Sequence, residues 1–135
     1  MIDINNPGNI RPGNDFQGET GAAKGFSVFD TMINGIRAYF KNLHTAIFVH
    51  DRKTICQYIT AYAPPSENDT ENYINTMCNK VGISEDVDIP TNEDFLCRFA
   101  LAQFEIENGK NDLTADDCLA GLQACGNIWP IAYRL

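Results

Sequence analysis

From Asp30 to Ile47 the apolar positions recur every three or four residues. Ile33, Ile36, Phe40, Leu43 and Ile47 fall on one stripe, interrupted only by the stem of Arg37. That period is helical, and Asp30 is a suitable N-cap for it. A second helix is expected after Thr54, carrying Ile55, Ile59 and Tyr62 and stopping at Pro64-Pro65. Asp69 or Thr70 caps a third, with Tyr73, Ile74, Met77 and Val81 on its apolar face and Gly82 at its end. Residues 83–91 read as an acidic linker. Thr91 caps a fourth helix over about 92–108, which holds Phe95, Leu96, Phe99, Ala100 and Phe104 and stops at Gly109. Thr114 opens a short last helix with Leu119 and Leu122, ending near Gly126.

The first 25 residues follow no helical period. Asn5-Asn6-Pro7-Gly8-Asn9 and Arg11-Pro12-Gly13-Asn14-Asp15 are dense in turn formers. Short strand pairing is expected between the region of Phe16-Gln17 and Phe26–Phe29. The fold class is therefore mainly α, with a small N-terminal β-hairpin and loop lobe over 1–30 and a helical lobe over 31–135. The tail 127–135 carries the only tryptophan, Trp129, and is expected to pack back. There are no repeats and no low-complexity segment.

Composition narrows the function. A chain of 135 residues corresponds to one domain. With 44% hydrophobic and 21% charged residues it is globular, not disordered. The formal charge is -8 and the pI is near 4.5, which argues against nucleic acid and against an anionic membrane surface. The charge is uneven: residues 1–62 hold six basic and five acidic residues, and residues 63–135 hold four and thirteen. The acidic half is thus the one excluded as a polyanion site. Cys56, Cys78, Cys97, Cys118 and Cys125 show no C-x-x-C spacing, and Cys118 and Cys125 sit too far apart on one helix for a disulfide. They are expected as small buried apolar residues. His44 and His50 make no metal set, and no phosphate loop, nucleophile elbow or cofactor motif occurs, so neither metal nor cofactor is expected. The opening residues lack the basic and apolar regions of a Sec signal, and no apolar run is long enough for membrane insertion.

Candidate chemistry centres on Glu107. Its helical neighbours upstream are Phe104, Gln103, Ala100, Phe99 and Leu96, four of them apolar, so its carboxyl continues the buried stripe. Glu105 falls instead beside Leu101, Arg98 and Asp94. A carboxyl losing solvation at the end of an apolar stripe tends to keep its proton, as a general acid must. A solvated glutamate at a helix end explains the same spacing, and periodicity alone leaves both readings open.

Several segments carry a resemblance. Asn6-Pro7-Gly8-Asn9-Ile10-Arg11, Phe16-Gln17-Gly18-Glu19, Gly25–Asp30 and Gly35-Ile36-Arg37 follow one another in order, and Tyr62–Thr70 leads into Tyr73-Ile74. Together they resemble the lysozyme-like peptidoglycan glycosidases of the N-acetylglucosaminidase and lytic-transglycosylase type. The Asn-Pro-Gly-Asn-Ile-Arg and Ala-Pro-Pro-x-Glu-Asn-Asp-Thr stretches also resemble a group of phage particle proteins. In the glycosidases the catalytic Glu ends a helix that precedes the Asn-rich turn. Here only five residues precede Asn6, while Glu107-Asn108-Gly109 ends a helix near the C-terminus. The resemblance therefore implies a circularly permuted lysozyme-like domain, in which Glu107 returns to a groove beside residues 6–30.

The resemblance further implies that Glu107 is the general acid and that Glu19, in a glycine-flanked mobile loop, is the second carboxylate. Tyr62 would orient Glu107 or a substrate acetamide. Asn9, Phe29, Glu67 and Tyr73 complete the substrate-binding set, with Glu67 the reserve acid. Each has a plainer reading: a loop acid for Glu19, a packed aromatic for Tyr62, turn chemistry for Asn9. Implied partners are the peptidoglycan glycan strand, a phage particle or secretion machine as carrier, and an inhibitor protein. The site of action would be the cell wall or periplasm. The rivals are a non-catalytic phage structural or wall-binding protein and a contact-delivered antibacterial effector of the same chemistry.

Overall fold

A computed structural model of the chain describes residues 1–129. The expected packing of the tail beyond Trp129, at 130–135, lies outside the described residues. Each helix starts where a short polar side chain satisfies an orphan backbone N–H. Thr31 accepts from Asn34 N at 3.1 Å and opens α1 (Met32–Phe48). Asp30 is not the cap, because its carboxylate takes the Asn34 side-chain amide at 2.9 Å. Thr54 and Gln57 form a capping box on α2 (Ile55–Tyr62), and Asp69 caps α3 (Thr70–Val81), which ends on Gly82 at φ 77°. Asn92, one residue after the expected Thr91, caps α4 (Glu93–Asn108) through a 2.9 Å bond from Phe95 N. Thr114 and Asp117 box the start of α5 (Ala115–Gln123). Cys125 thus lies beyond the helix that holds Cys118. All five cysteines are free; Cys97, Cys118 and Cys125 are buried, while Cys56 and Cys78 are half-buried.

The architecture is mainly α: five helices and one two-stranded antiparallel sheet among the described residues. The hairpin pairs β1 (Glu19–Ala23) with β2 (Phe26–Phe29) across Lys24-Gly25, both at positive φ, as a tight two-residue turn requires. The first strand lies later than expected. Phe16-Gln17-Gly18 form a turn closed by Glu19 N on Phe16 O at 3.1 Å, and pairing begins only after it. A register shift separates Glu19 from Gly21.

Helix α1 runs through the core. Ile36, Tyr39, Phe40, Leu43 and Ile47 meet α4 (Leu96, Phe99, Phe104), α5 (Leu122) and the Trp129 ring, while Ile33 stays exposed. Two glycines allow close approach. A Cβ on Gly121 would lie 2.3 Å from Ile36 Cγ2, and one on Gly35 would lie 1.7 Å from the Asn5 carbonyl oxygen. The N-terminal loop is secured by Asn6, which is fully buried. Its Nδ2 donates to Ile10 O at 2.9 Å and Ser27 O at 2.8 Å, and its Oδ1 accepts from Ile10 N at 2.9 Å. The amide thereby replaces a stretch of sheet ladder and lets a glycine-rich loop be buried. No helix among the described residues is long and apolar enough to cross a membrane.

Candidate active site

The last turn of α4 meets the N-terminal loop. Asn108 Nδ2 donates to Pro7 O at 2.8 Å and to Phe104 O at 2.9 Å, which pins the helix end against residues 7–9. Glu107, one position earlier, is half-buried and points to the same loop. Its Oε1 accepts from Asn9 Nδ2 at 2.7 Å, and its Oε2 accepts from the Tyr73 hydroxyl at 2.7 Å. Asn9 adopts φ 52°, a left-handed conformation that Asn tolerates better than most residues, in a turn closed on Asn6 O at 3.2 Å. The Met1 amino group donates to Asn9 Oδ1, so the Asn9 NH₂ is the end turned to Glu107.

A layer of buried polar groups supports the carboxylate. Gln103, one turn before Glu107 on α4, is fully buried, and its Oε1 accepts from the hydroxyls of Tyr39 and Tyr58. Tyr62 donates to the Gly8 carbonyl, and its ring lies 5.7 Å from that of Tyr58 and 6.4 Å from that of Tyr73. Burial, reinforced by the Glu107 charge and by the hydrogen bond to it, raises the Tyr73 hydroxyl far above the phenol range. Burial and then the neighbouring tyrosines do the same for Tyr62 and Tyr39. All three remain neutral hydroxyls. A neutral tyrosine can donate to a carboxylate or accept from a carboxylic acid, so the Tyr73–Glu107 pair is geometrically complete in either proton state.

Glu107 opens on a cleft of about 540 Å³. One wall is the N-terminal lobe (Asn9 to Pro12, Asn14 and Phe26); the other is the end of α2 and the turn after it (Ala61 to Pro64, Glu67, Asn68), with Asn42 contributed by α1. The lining is rich in side-chain amides, with two carboxylates and one arginine. Arg11 stands over the Phe26 ring, 5.7 Å from its centroid. Such a surface combines an aromatic face, amide donors and acceptors, and a carboxyl, which suits a hydroxyl- and acetamide-bearing ligand.

Asn9, Tyr73 and Glu107 are joined by direct hydrogen bonds, and Tyr62 and Glu67 line the cleft. Tyr62 makes no hydrogen bond to the Glu107 carboxylate; the hydroxyl on that carboxylate is that of Tyr73, and the Tyr62 hydroxyl donates to the Gly8 carbonyl. Glu19 is not among the residues lining the cleft. It belongs to β1, and its Oε1 accepts from Phe16 N at 3.2 Å, so it closes the hairpin turn and occupies a paired strand, not a mobile loop. Phe29 is 2% exposed and packs inward, leaving Phe26 as the strand's aromatic at the cleft. Gln103, Arg11, Phe26 and Asn42 were not singled out from the sequence. Gln103 alone gave a signal, as the one polar residue interrupting the stripe above Glu107. Among the described residues no group of His, Cys, Asp and Glu is placed to hold a metal ion.

No family model matches the chain. Over 125 residues, covering 88% of this chain and 77% of the relative, it is 35% identical to the protein called Protein P5 of Pseudoalteromonas phage PM2.

Proposed function

The chain belongs to the family of Protein P5 of Pseudoalteromonas phage PM2, and from the Glu107 cleft we propose that it cuts the glycan strand of bacterial peptidoglycan. The relative is a phage protein whose name states no activity, so the chemistry rests on the cleft. The observation that carries the reading is the Glu107 carboxyl at the cleft wall, gripped on both oxygens by Asn9 and Tyr73. It stands at the end of a helix and faces a small hairpin lobe, the arrangement implied by the lysozyme-like resemblance. The bonds from Asn9 to Glu107 and from Asn108 to Pro7 also support a circular permutation, since they bring the end of a late helix to the Asn-rich turn.

In this mechanism Glu107 donates its proton to the glycosidic oxygen as the bond to the anomeric carbon breaks. The oxocarbenium-like carbon is then captured by water, giving a reducing end, or by the sugar's own C6 hydroxyl, giving a 1,6-anhydro end; in either case the attacking oxygen gives its proton to the Glu107 carboxylate, which restores the acid. Glu19 takes no part. Glu67, the other carboxylate of the cleft, or the substrate's acetamide supports the developing cation. Kinship with a phage protein supports a carrier role for the phage particle, with the wall as the place of action.

The test is clearing of purified peptidoglycan by the wild-type protein and by Glu107→Gln. Loss of a general acid lowers the rate by about 10²- to 10⁴-fold. Mass spectrometry of the products identifies the bond cut and the reducing or anhydro end. A wild-type protein that sediments with walls but releases no fragments would make the chain a non-catalytic wall-binding or particle protein.

A further inference from the structure

Asn14, Asn42, Ala61 and Tyr62 each line two cavities. Beyond the Glu107 cleft they border a second space of about 260 Å³, which adds Thr45, His50 and Arg52. The four shared residues set the second space beside the first, as a side arm of it. Its electrostatics run against the rest of the molecule. The chain has 18 acidic residues, yet only Glu67 and Glu107 line the cleft and none lines the side arm.

Arg52 in the side arm and Arg11 in the main cleft are not neutralised by any carboxylate among the described residues. The ion pairs among the described residues are Lys53–Asp51, Lys80–Glu105 and Arg98–Asp94, so neither Arg52 nor Arg11 has a carboxylate partner. Asp51, adjacent in sequence to Arg52, is held by Lys53 at 3.4 Å. The backbone at Arg52 is fixed, its N–H donating to Ala46 O at 2.9 Å, so the guanidinium is carried on an anchored segment between α1 and α2. A guanidinium matches a carboxylate through two parallel N–H···O bonds, and neighbouring Thr45 and Asn42 add further donors.

We propose that this side arm is a subsite for a carboxylate carried on the glycan, the lactyl or peptide carboxylate of a muramic acid residue seated in the main cleft. The proposal rests on the glycan-cleaving reading and specifies its substrate: an acid-bearing strand in preference to a neutral one. It also accounts for how a chain of charge -8 accepts an anionic polymer, since recognition of the acid is confined to an arm that no carboxylate lines, beside a groove that only Glu67 and Glu107 of the 18 acidic residues reach.

The experiment is calorimetry on the Glu107→Gln protein, in which binding is read without turnover. Three probes are used: a muramic-acid-containing tetrasaccharide with free carboxylates, the same oligomer with its carboxylates converted to amides, and the neutral N-acetylglucosamine tetramer. The free acid is expected to bind about tenfold more tightly than its amide. Adding Arg52→Gln should bring that ratio close to one and leave affinity for the neutral tetramer unchanged, while Arg52→Lys retains part of the preference. Thermal melts of each variant check that the fold is intact. Equal affinity for acid and amide, a preference indifferent to Arg52→Gln, or no binding of any oligomer overturns the subsite. Clearing assays separate the two claims. Activity without acid preference removes the subsite alone; acid preference without activity removes the glycosidase and leaves a carboxylate-selective glycan site.

Discussion

At the scale of single residues, the Glu107 carboxyl is defined by what touches it. Tyr73 supplies one of its two hydrogen bonds, and a bond to a charged group contributes about 1.5–3 kcal/mol. On the proposed mechanism Tyr73→Phe should therefore lower glycan clearing by roughly tenfold to a hundredfold and leave sedimentation with walls unchanged. Unaltered clearing by that variant would exclude Tyr73 from the site. Much of this site was legible in the sequence. Asn9, Tyr73 and Glu107 could be named from motif order and from the stripe on α4. Two residues stand away from the cleft that motif order gives them to, for a definite reason. In β2 alternate side chains face opposite ways: Ser27 and Phe29 are buried, while Phe26 and Val28 are half-exposed. Motif order finds the strand but not which face meets the cleft, and it is Phe26, not Phe29, that lines the cleft. Gly18 and Gly21 on either side of Glu19 predict a loop, whereas the pairing from Glu19 onward makes it a strand. Gln103 was visible as a polar interruption, but only the convergence of Tyr39 and Tyr58 from other helices explains it.

At the scale of elements, the helices were legible and the strand register was not. A 3.6-residue period survives one or two polar interruptions. The sequence Gly21-Ala22-Ala23 has no alternation from which a register could be read. The acidic stretch 83–91 proved to be more than a connector. Ile89 N bonds Lys53 O at 2.8 Å and Cys56 N bonds Glu85 O at 3.1 Å, so it braces the start of α2. Helix packing depends most on the crossing of α1 and α5. A methyl at position 121 meets Ile36 Cγ2 at 2.3 Å and the Arg37 backbone N at 3.2 Å. Gly121→Ala should cost about 1–3 kcal/mol through overpacking. Circular-dichroism melts should show a drop of roughly 5–10 °C. Adding Ile36→Ala removes the colliding methyl, so the double variant should lose less than the sum of the singles. Strict additivity would mean that the helices simply move apart.

At the scale of the whole molecule, the buried ionisable groups set an alkaline limit. Burial is the leading cause that pushes the thiols of Cys97 and Cys125 up to about 11 and that of Cys118 up to about 12, against 9.0 for an open chain. Between those values the unfolded chain gives up its thiol protons first, so rising pH favours unfolding. Stability from these groups is complete below pH 9 and is lost as pH climbs from 9 towards 12, at up to about 1.4 kcal/mol per thiol per pH unit. The buried tyrosines act in the same direction above pH 10. Urea midpoints should stay level from pH 7.5 to 8.5 and fall at 9.5 and 10.5; a flat midpoint to 10.5 would show that the thiols ionise freely in the fold. One further property belongs to the molecule as a whole. The bond from Asn9 to Glu107 joins residues 98 apart, and that from Asn108 to Pro7 joins residues 101 apart. Closing so long a loop is entropically favoured only after the intervening helices have packed and shortened it. A nascent or partly refolded chain therefore has no assembled cleft, and any ligand that needs both the Asn-rich turn and the end of α4 meets its site only after the last closure of the fold, so occupancy of the cleft would report complete folding.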